Sequence, residues 1–437
     1  MTLPVMGLHR PILTRALLLA LTFMLSSPVY AQAVDALTTS AGNFKRDRSI
    51  AVLDRLHPEF DPQGINLGSF VLLPKVDVTA RGTDNLYATD SDRRSDVAGV
   101  VDPSFKLNSN WSRNWVTLAG DAAITRYADH GSENVETYDV NGAGQYDIDS
   151  QSYVRGFVDY GRLAERRSDV GTPNNTVTPI RYNSLNAIGT AQWQSSRFKL
   201  VASGGVNQLR YSDNVTFAGA PASQGYRDRN SYRGTARGEY ALTPDVSLLV
   251  QGTASFQRYT QNNQSAFNRN SDRQELLGGI SMELTQLVRA EAGVGYIHLT
   301  YKQPGLQGFS GIGARAQVQF FPSQLTTVSL KASRTIEDSG LPTAPSYVRS
   351  LVALQVDHEL LRNLILSGSA QYSNNDFNLQ ARQEHRPEFF ARAIYTLDRH
   401  FSLTARYDHI ESHAQPFGLG GKTFALNQLT LTLSARI

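Results

Sequence analysis

Cysteine is absent from this 437-residue chain. That removes a disulfide framework, thiol catalysis and cysteine metal sites together, and it suits a polypeptide that crosses an oxidising compartment before folding. Long apolar runs are missing as well: beyond residue 33 nothing approaches the roughly 20 apolar residues that a spanning helix needs. Charge is sparse and balanced, with 19% charged residues and a formal net charge of +3 to which Arg10 and Arg15 contribute. A chain so close to neutral has no electrostatic footprint for a polyanion, and no nucleic-acid partner is expected.

What the sequence does have is β-rich. Glycine (34), tyrosine (19) and phenylalanine (19) are plentiful, while hydrophobic residues total 41% and mean hydropathy is −0.32. Met1 to Ala33 reads as a secretory signal, with a basic start at Arg10 and Arg15, a short apolar stretch from Ala16 to Leu25, and cleavage after Ala31 or Ala33.

Two-residue periodicity is the deciding pattern, because successive side chains of a strand point to opposite faces and a barrel wall has lipid on one face and water on the other. Leu429, Leu431, Leu433, Ala435 and Ile437 alternate with Gln428, Thr430, Thr432, Ser434 and Arg436. Leu364, Leu366, Gly368, Ala370 and Tyr372 alternate with Ile365, Ser367, Ser369 and Gln371; Phe401, Leu403, Ala405 and Tyr407 oppose Ser402, Thr404, Arg406 and Asp408. Segments beginning at Phe198 and Val246 behave the same way. The pattern recurs too often for one soluble core, and Arg, Lys and Asp on the polar faces belong in a hydrated lumen rather than a dry interior.

Connections alternate in length. Short turns at Ser195-Ser196, Thr243-Pro244-Asp245, Thr285-Gln286-Leu287, Leu361-Arg362-Asn363 and Asp398-Arg399-His400 interleave with longer polar stretches at 166–178, 212–229, 261–272, 337–345 and 412–422. Short periplasmic turns and long outer loops define an all-β fold, a transmembrane antiparallel up-and-down β-barrel. The expected count is about 18 strands over residues 67–437, with 16 as the alternative because 128–155 and 269–290 are weakly punctuated. Residues 34–66 show no clean alternation and are read as a periplasmic N-terminal extension, or a plug tucked into the barrel mouth.

On the polar faces, Arg289 and Glu291 share a side, as do Arg392 and Asp398, and Arg406 and Asp408; with Arg436 they are the candidate lumen-lining residues. Mixed charge suits hydrated, hydroxyl-rich solutes that exchange readily with water, although such pairs also stabilise a wall by themselves. No catalytic, cofactor or metal site is expected. His409, Glu411 and His413 would share a face if their strand continued, but solvated loop polarity explains them better. Gly418-Leu419-Gly420-Gly421-Lys422-Thr423 resembles the end of a phosphate loop, yet Pro416 occupies the first glycine position and a strand follows instead of a helix.

The run Arg55-Leu56-His57-Pro58-Glu59-Phe60-Asp61-Pro62-Gln63-Gly64-Ile65-Asn66-Leu67-Gly68-Ser69-Phe70 resembles the opening motif of the putative β-barrel porin 2 family. Thr83-Asp84-Asn85-Leu86-Tyr87 is similar to that family's Asp-Asn-aromatic turn after the first strand, and the general pattern extends over residues 50–437. Leu86 stands where an aromatic residue or Val is usual, and Ile437 where many outer-membrane proteins end in Phe. The resemblance implies a porin-like channel in the cell outer membrane of a Gram-negative bacterium, a conduit for exopolysaccharide export. Its implied partners are outer-membrane lipid, the barrel assembly machinery and periplasmic polysaccharide export proteins. A general diffusion porin, or a structural or adhesive barrel with a plugged lumen, is the alternative.

Overall fold

The computed structural model describes residues 50–260, 268–285, 287–415 and 421–437. The expected signal segment and the first part of the extension, to residue 49, lie outside them. Eighteen antiparallel strands make the wall. The first six are β1 Phe70–Thr83, β2 Asp96–Ser109, β3 Trp115–Tyr127, β4 Val135–Asp147, β5 Tyr153–Ala164 and β6 Arg181–Ser195. Next come β7 Phe198–Tyr211, β8 Arg229–Thr243, β9 Val246–Tyr259, β10 Ser271–Leu284, β11 Val288–Tyr301 and β12 Phe309–Ser323. The last are β13 Thr326–Asp338, β14 Ser346–Leu361, β15 Leu364–Phe377, β16 Gln383–Thr396, β17 Phe401–Gln415 and β18 Phe424–Arg436. Each pairs with its sequence neighbour, and β1 pairs with β18 from Lys75 opposite Arg436 to Thr83 opposite Gln428, which closes the cylinder.

Eighteen strands, not sixteen, follow because the weakly punctuated regions turn without Gly-Pro signals. Between β4 and β5 the turn is held by Asp149, whose Oδ1 accepts from the backbone N–H of Gln151 and Ser152, both at 2.7 Å. Between β10 and β11, Thr285 adopts φ +59°.

The alternation read from sequence is the alternation of the wall. On β18, Leu429, Leu431 and Leu433 are exposed on the outside, whereas Thr430 and Ser434 are buried on the inside. Phe198, Trp193 and Phe401 stand outward near the short-turn end, and Tyr372, Phe256 and Tyr407 outward towards the long-loop end, the placing of two interfacial aromatic belts. No helix among the described residues is long and apolar enough to cross a membrane; the crossing is made by strands, with every ladder bonded to a neighbour as hydrocarbon requires.

The extension ends in a glycine-dependent hairpin. Ile65 and Asn66 pair with Leu72 and Val71. Gly64 sits at φ +72°, and a Cβ there would meet Val71 Cγ1 at 2.7 Å and the Leu72 carbonyl oxygen at 2.8 Å, so no other residue fits. Upstream, the chain lies along the inner rim at the short-turn end. Val52 is buried, and its N–H donates to Thr327 Oγ1 (3.0 Å). Arg55 pairs with Glu359 (2.6 Å) and Glu59 with Arg362 (3.0 Å). Arg399 donates to the Pro58 and Glu59 carbonyls, and Arg436 to that of Phe60. Burial raises the Asp54 carboxyl pKa, with Arg289 opposing the shift.

An arginine on the lipid face near the bilayer midplane costs about 2–4 kcal/mol, whereas the lumen face is wet. Leu431→Arg should therefore lower the unfolding free energy in vesicles by about that amount. Gln317→Arg, at similar height but facing inward, should leave it nearly unchanged in the same denaturant titration.

Candidate functional site: the barrel lumen

The residues singled out from sequence fall as follows. Arg289 and Glu291 both face inward from β11, and each has a partner on another strand. Glu291 binds both terminal nitrogens of Arg237 on β8 (2.8 and 2.7 Å), and Arg289 stands 3.7 Å from Glu283. Arg406 and Asp408 form a bidentate pair on β17 (2.6 Å at the shortest), with the Arg406 guanidinium over Phe390 at 4.4 Å. Arg392 donates to Ser367 (3.1 Å), and Arg436 holds the extension as described. Asp398 belongs to the turn and not the wall: its Oδ1 accepts from the N–H of His400 (2.7 Å) and Phe401 (2.8 Å), which keeps its carboxyl pKa low.

One loop expectation is corrected. Strand β17 continues to Gln415, so His409, Glu411 and His413 stand on its outer face instead of in a loop. His409 and His413 each contact a different Glu411 oxygen (2.9 and 3.0 Å), and His409 also meets Asn427 Oδ1 (2.7 Å). Among the described residues no group of three or more His, Asp or Glu side chains is placed to hold a metal ion. Part of the glycine-rich 418–423 stretch lies outside the described residues.

Sequence reasoning missed what the long connections do. Residues 165–180, between β5 and β6, leave the wall and enter the lumen. Arg167 pairs with Glu133 (2.6 Å) and donates to Thr176, while Glu165 binds Arg227 beside the Tyr211 ring. Across the lumen, Arg386 of β16 donates to the Ser168 carbonyl (3.0 Å). From the segment before β18, Lys422 Nζ donates to the carbonyls of Arg167 (2.6 Å) and Asp169 (3.0 Å).

A second element meets this loop. The tip of the β13–β14 hairpin reaches Arg229 on β8 through Asp338 (3.2 Å), and Asp338 also receives Arg269 and the Tyr259 hydroxyl. Five strand spacings separate β8 from β13, about 24 Å along the wall at about 4.8 Å each, so contact this close requires the tip to fold inward. Ile336 and Val348 then pack on Ile297 and Leu299 of β11. The two inward elements touch at Gly171 and Gly340, where a Cβ on Gly171 would come within 2.7 Å of the Gly340 nitrogen. The Tyr226 hydroxyl donates to the Gly340 carbonyl (2.8 Å).

The lumen is narrowed but not filled. Gln317 on β12 lies opposite Glu291 and Lys331 in the ladders, so it and Lys331 face inward with the Arg237–Glu291 pair; both side chains are exposed. Solvent therefore stands inside the barrel at that height.

A family model described as putative beta-barrel porin 2 matches residues 57–436. No curated protein is similar enough in sequence to count as a relative. Solved structures with a similar shape include a mutant of the ferric enterobactin receptor PfeA of Pseudomonas aeruginosa, 8% identical, aligned over 84% of this chain and 80% of that one with a TM-score of 0.46. OpdO of the same organism is 10% identical over 84% of this chain and 97% of its own (TM-score 0.44), and OpdL 10% identical over 85% and 100% (TM-score 0.44). With the match running through nearly the whole barrel, the chain belongs to the putative β-barrel porin 2 family of outer-membrane barrels.

Proposed function

We propose that this barrel is a passive, selective channel for hydrophilic solutes, without catalytic function. The observation that carries the reading is the exposure of Gln317 and Lys331 inside the wall, because a side chain that faces inward and still meets solvent needs a water-filled path beside it. The inner groups bind mainly one another, as in Arg237–Glu291 and Arg406–Asp408. That leaves a hydrogen-bonding surface where a solute can exchange with water without being trapped. The cargo suggested by the family resemblance is an exopolysaccharide, delivered by periplasmic export proteins, with the barrel inserted by the assembly machinery after a signal peptide is removed. Passage of such a polymer requires the loop at 165–180 to swing aside, since it crosses the lumen.

Lys422 sets the terms of that movement. Burial pushes its pKa down to about 7, with Asp169, Glu384 and Glu165 acting to raise it and Arg386 to lower it further. A freed, hydrated lysine titrates near 10.4. The released state therefore binds the proton more tightly than the latched one, and between these two values a fall in pH favours release. Below about pH 7 both states are protonated and the preference stops changing.

In planar bilayers the purified protein should give stepwise, ohmic conductance; a silent membrane at high protein load would overturn the channel reading. Raising the pH from about 7.5 to about 9.5 should reduce the frequency of high-conductance openings severalfold. Lys422→Met, which cannot titrate, should show no such trend in the same recordings. A clean deletion strain with normal surface polysaccharide would reject exopolysaccharide as cargo while leaving a channel for smaller solutes.

A further inference from the structure

Five consecutive strands each bring an aspartate to the same band of the lumen face: Asp77, Asp102, Asp121, Asp139 and Asp159, on β1 to β5. Their positions along the chain show no motif; the strand register brings them into a row. Asp77 lies directly opposite Asp102, and Asp121 directly opposite Asp139. Asp102 and Asp159 stand one diagonal step from Asp121 and Asp139 respectively, because Asp121 opposes Ser104 and Asp159 opposes Asn141. The row continues through Asn186, opposite Asp159, to Asn207, opposite Asn186.

Like charges directly opposed on one face repel, so such a row needs compensation. At its first end Lys75 pairs with Asp77 (2.7 Å). Among the described residues no salt bridge reaches Asp121 or Asp159. Asp159 is only 5% exposed, and its Oδ1 has no hydrogen-bond partner. Asn186 beside it is 1% exposed, and neither its Oδ1 nor its Nδ2 has one. Asp139 leans over Gly161, its Oδ2 standing 2.8 Å from where a Cβ on that glycine would be. Asp159 is the diagonal neighbour of Asp139 on the same face. Carboxylates set side by side with little water around them favour a proton or a cation between them. A buried amide with both ends unused also points to something absent from the protein itself.

We propose that this row is a cation-binding strip on the lumen wall, which takes partly hydrated cations at its half-buried members Asp77, Asp102, Asp121 and Asp139 and holds them at a buried end formed by Asp159 and Asn186. Water must remain on the ion, since no three acidic groups among the described residues are close enough to coordinate a metal directly. Asn186 Oδ1 accepts a hydrogen bond from that hydration shell, and the carboxylates supply the charge. The strip rests on the channel reading for its role in permeation, but not for its ability to bind.

The test uses the full-length protein and the double variant Asp139→Asn with Asp159→Asn, compared by reversal potential under a potassium chloride gradient and by thermal unfolding in detergent with and without calcium chloride. The wild type should prefer potassium over chloride and melt at a higher temperature with calcium. In the double variant the permeability ratio should fall severalfold and most of the calcium shift should vanish. A calcium shift that survives in the double variant overturns the site, leaving a shared proton between the two carboxyls. An unchanged permeability ratio overturns its place on the conducting path. A silent membrane defeats the channel reading alone, and the melting comparison still decides the strip. Should the double variant fail to migrate as a folded barrel on gels, Asn186→Asp decides instead: one more carboxylate at the buried end should enlarge the calcium shift, and no enlargement rejects the proposal.

Discussion

Closure of the hydrogen-bond ladder is the constraint on which everything else in this molecule depends. In hydrocarbon an unpaired backbone N–H or carbonyl has no water to turn to, so a sheet with an edge cannot stay in a membrane. The seam between β1 and β18 is shorter than its neighbours: pairing starts only at Lys75 with Arg436, whereas β1 pairs with β2 from Phe70 onward. The lower edge of β1 is covered instead by Ile65 and Asn66, which bond to Leu72 and Val71. At the other end, Asp84 accepts from both the backbone and the side chain of Asn427, and the fully buried Asn85 donates to the carbonyls of Ala425 and Thr89. The two stretches of sequence that carry the family resemblance are thus the two ends of the seam, and their physical task is to finish the cylinder.

Once the wall is closed, its interior faces a second constraint, the cost of charge held away from bulk water. Burying a charge is tolerated when a partner and hydrogen bonds accompany it. This chain meets the requirement by bringing connections inward: Arg167 finds Glu133, Arg227 finds Glu165, and Arg269 finds Asp338, in each case between a loop and a wall or between two loops. The same contacts that satisfy the arginines also narrow the passage. Stability of the polar interior and width of the conduit are therefore set by one group of side chains.

How much of this could be read from the amino-acid order depends on how far each interaction reaches along the chain. The wall was legible because alternation is local: Leu429 to Ile437 declares its own lipid face with no knowledge of any other strand. Strand ends towards the long loops were less so. Around His409 to His413 the usual pattern is reversed, with His409, Glu411 and His413 outside and Ile410, Ser412 and Ala414 inside, since this part of β17 stands beyond the apolar belt, and an apolar outer face no longer marks the strand. Asp398 shares the parity of Arg392 and so falls on the polar face by alternation, although it also opens the turn Asp398-Arg399-His400; alternation alone does not mark that β16 ends at Thr396. The inward loop could not be seen at all. Its anchors join residues 218 and 255 positions apart, and its composition is that of any exposed polar connection. The aspartate row is hidden for a related reason: scattered aspartates on separate strands are unremarkable until register sets five of them side by side.

Aperture and wall are also unequal in how many residues define them. The cylinder is held by ladders on every strand, so a single substitution there weakens a share of one pairing and leaves the topology intact. The crossing of the lumen depends on far fewer contacts. Gly171 is held at φ +77° against Gly340, a conformation and an approach that a side chain at either position would break, and Lys422 supplies two of the bonds that hold the loop across. These few points leave the ladders of the wall untouched. On the channel reading proposed above, the residues that select a solute are accordingly to be sought in the inward loop and the lumen face of β1 to β5, and not in the motifs that identify the family.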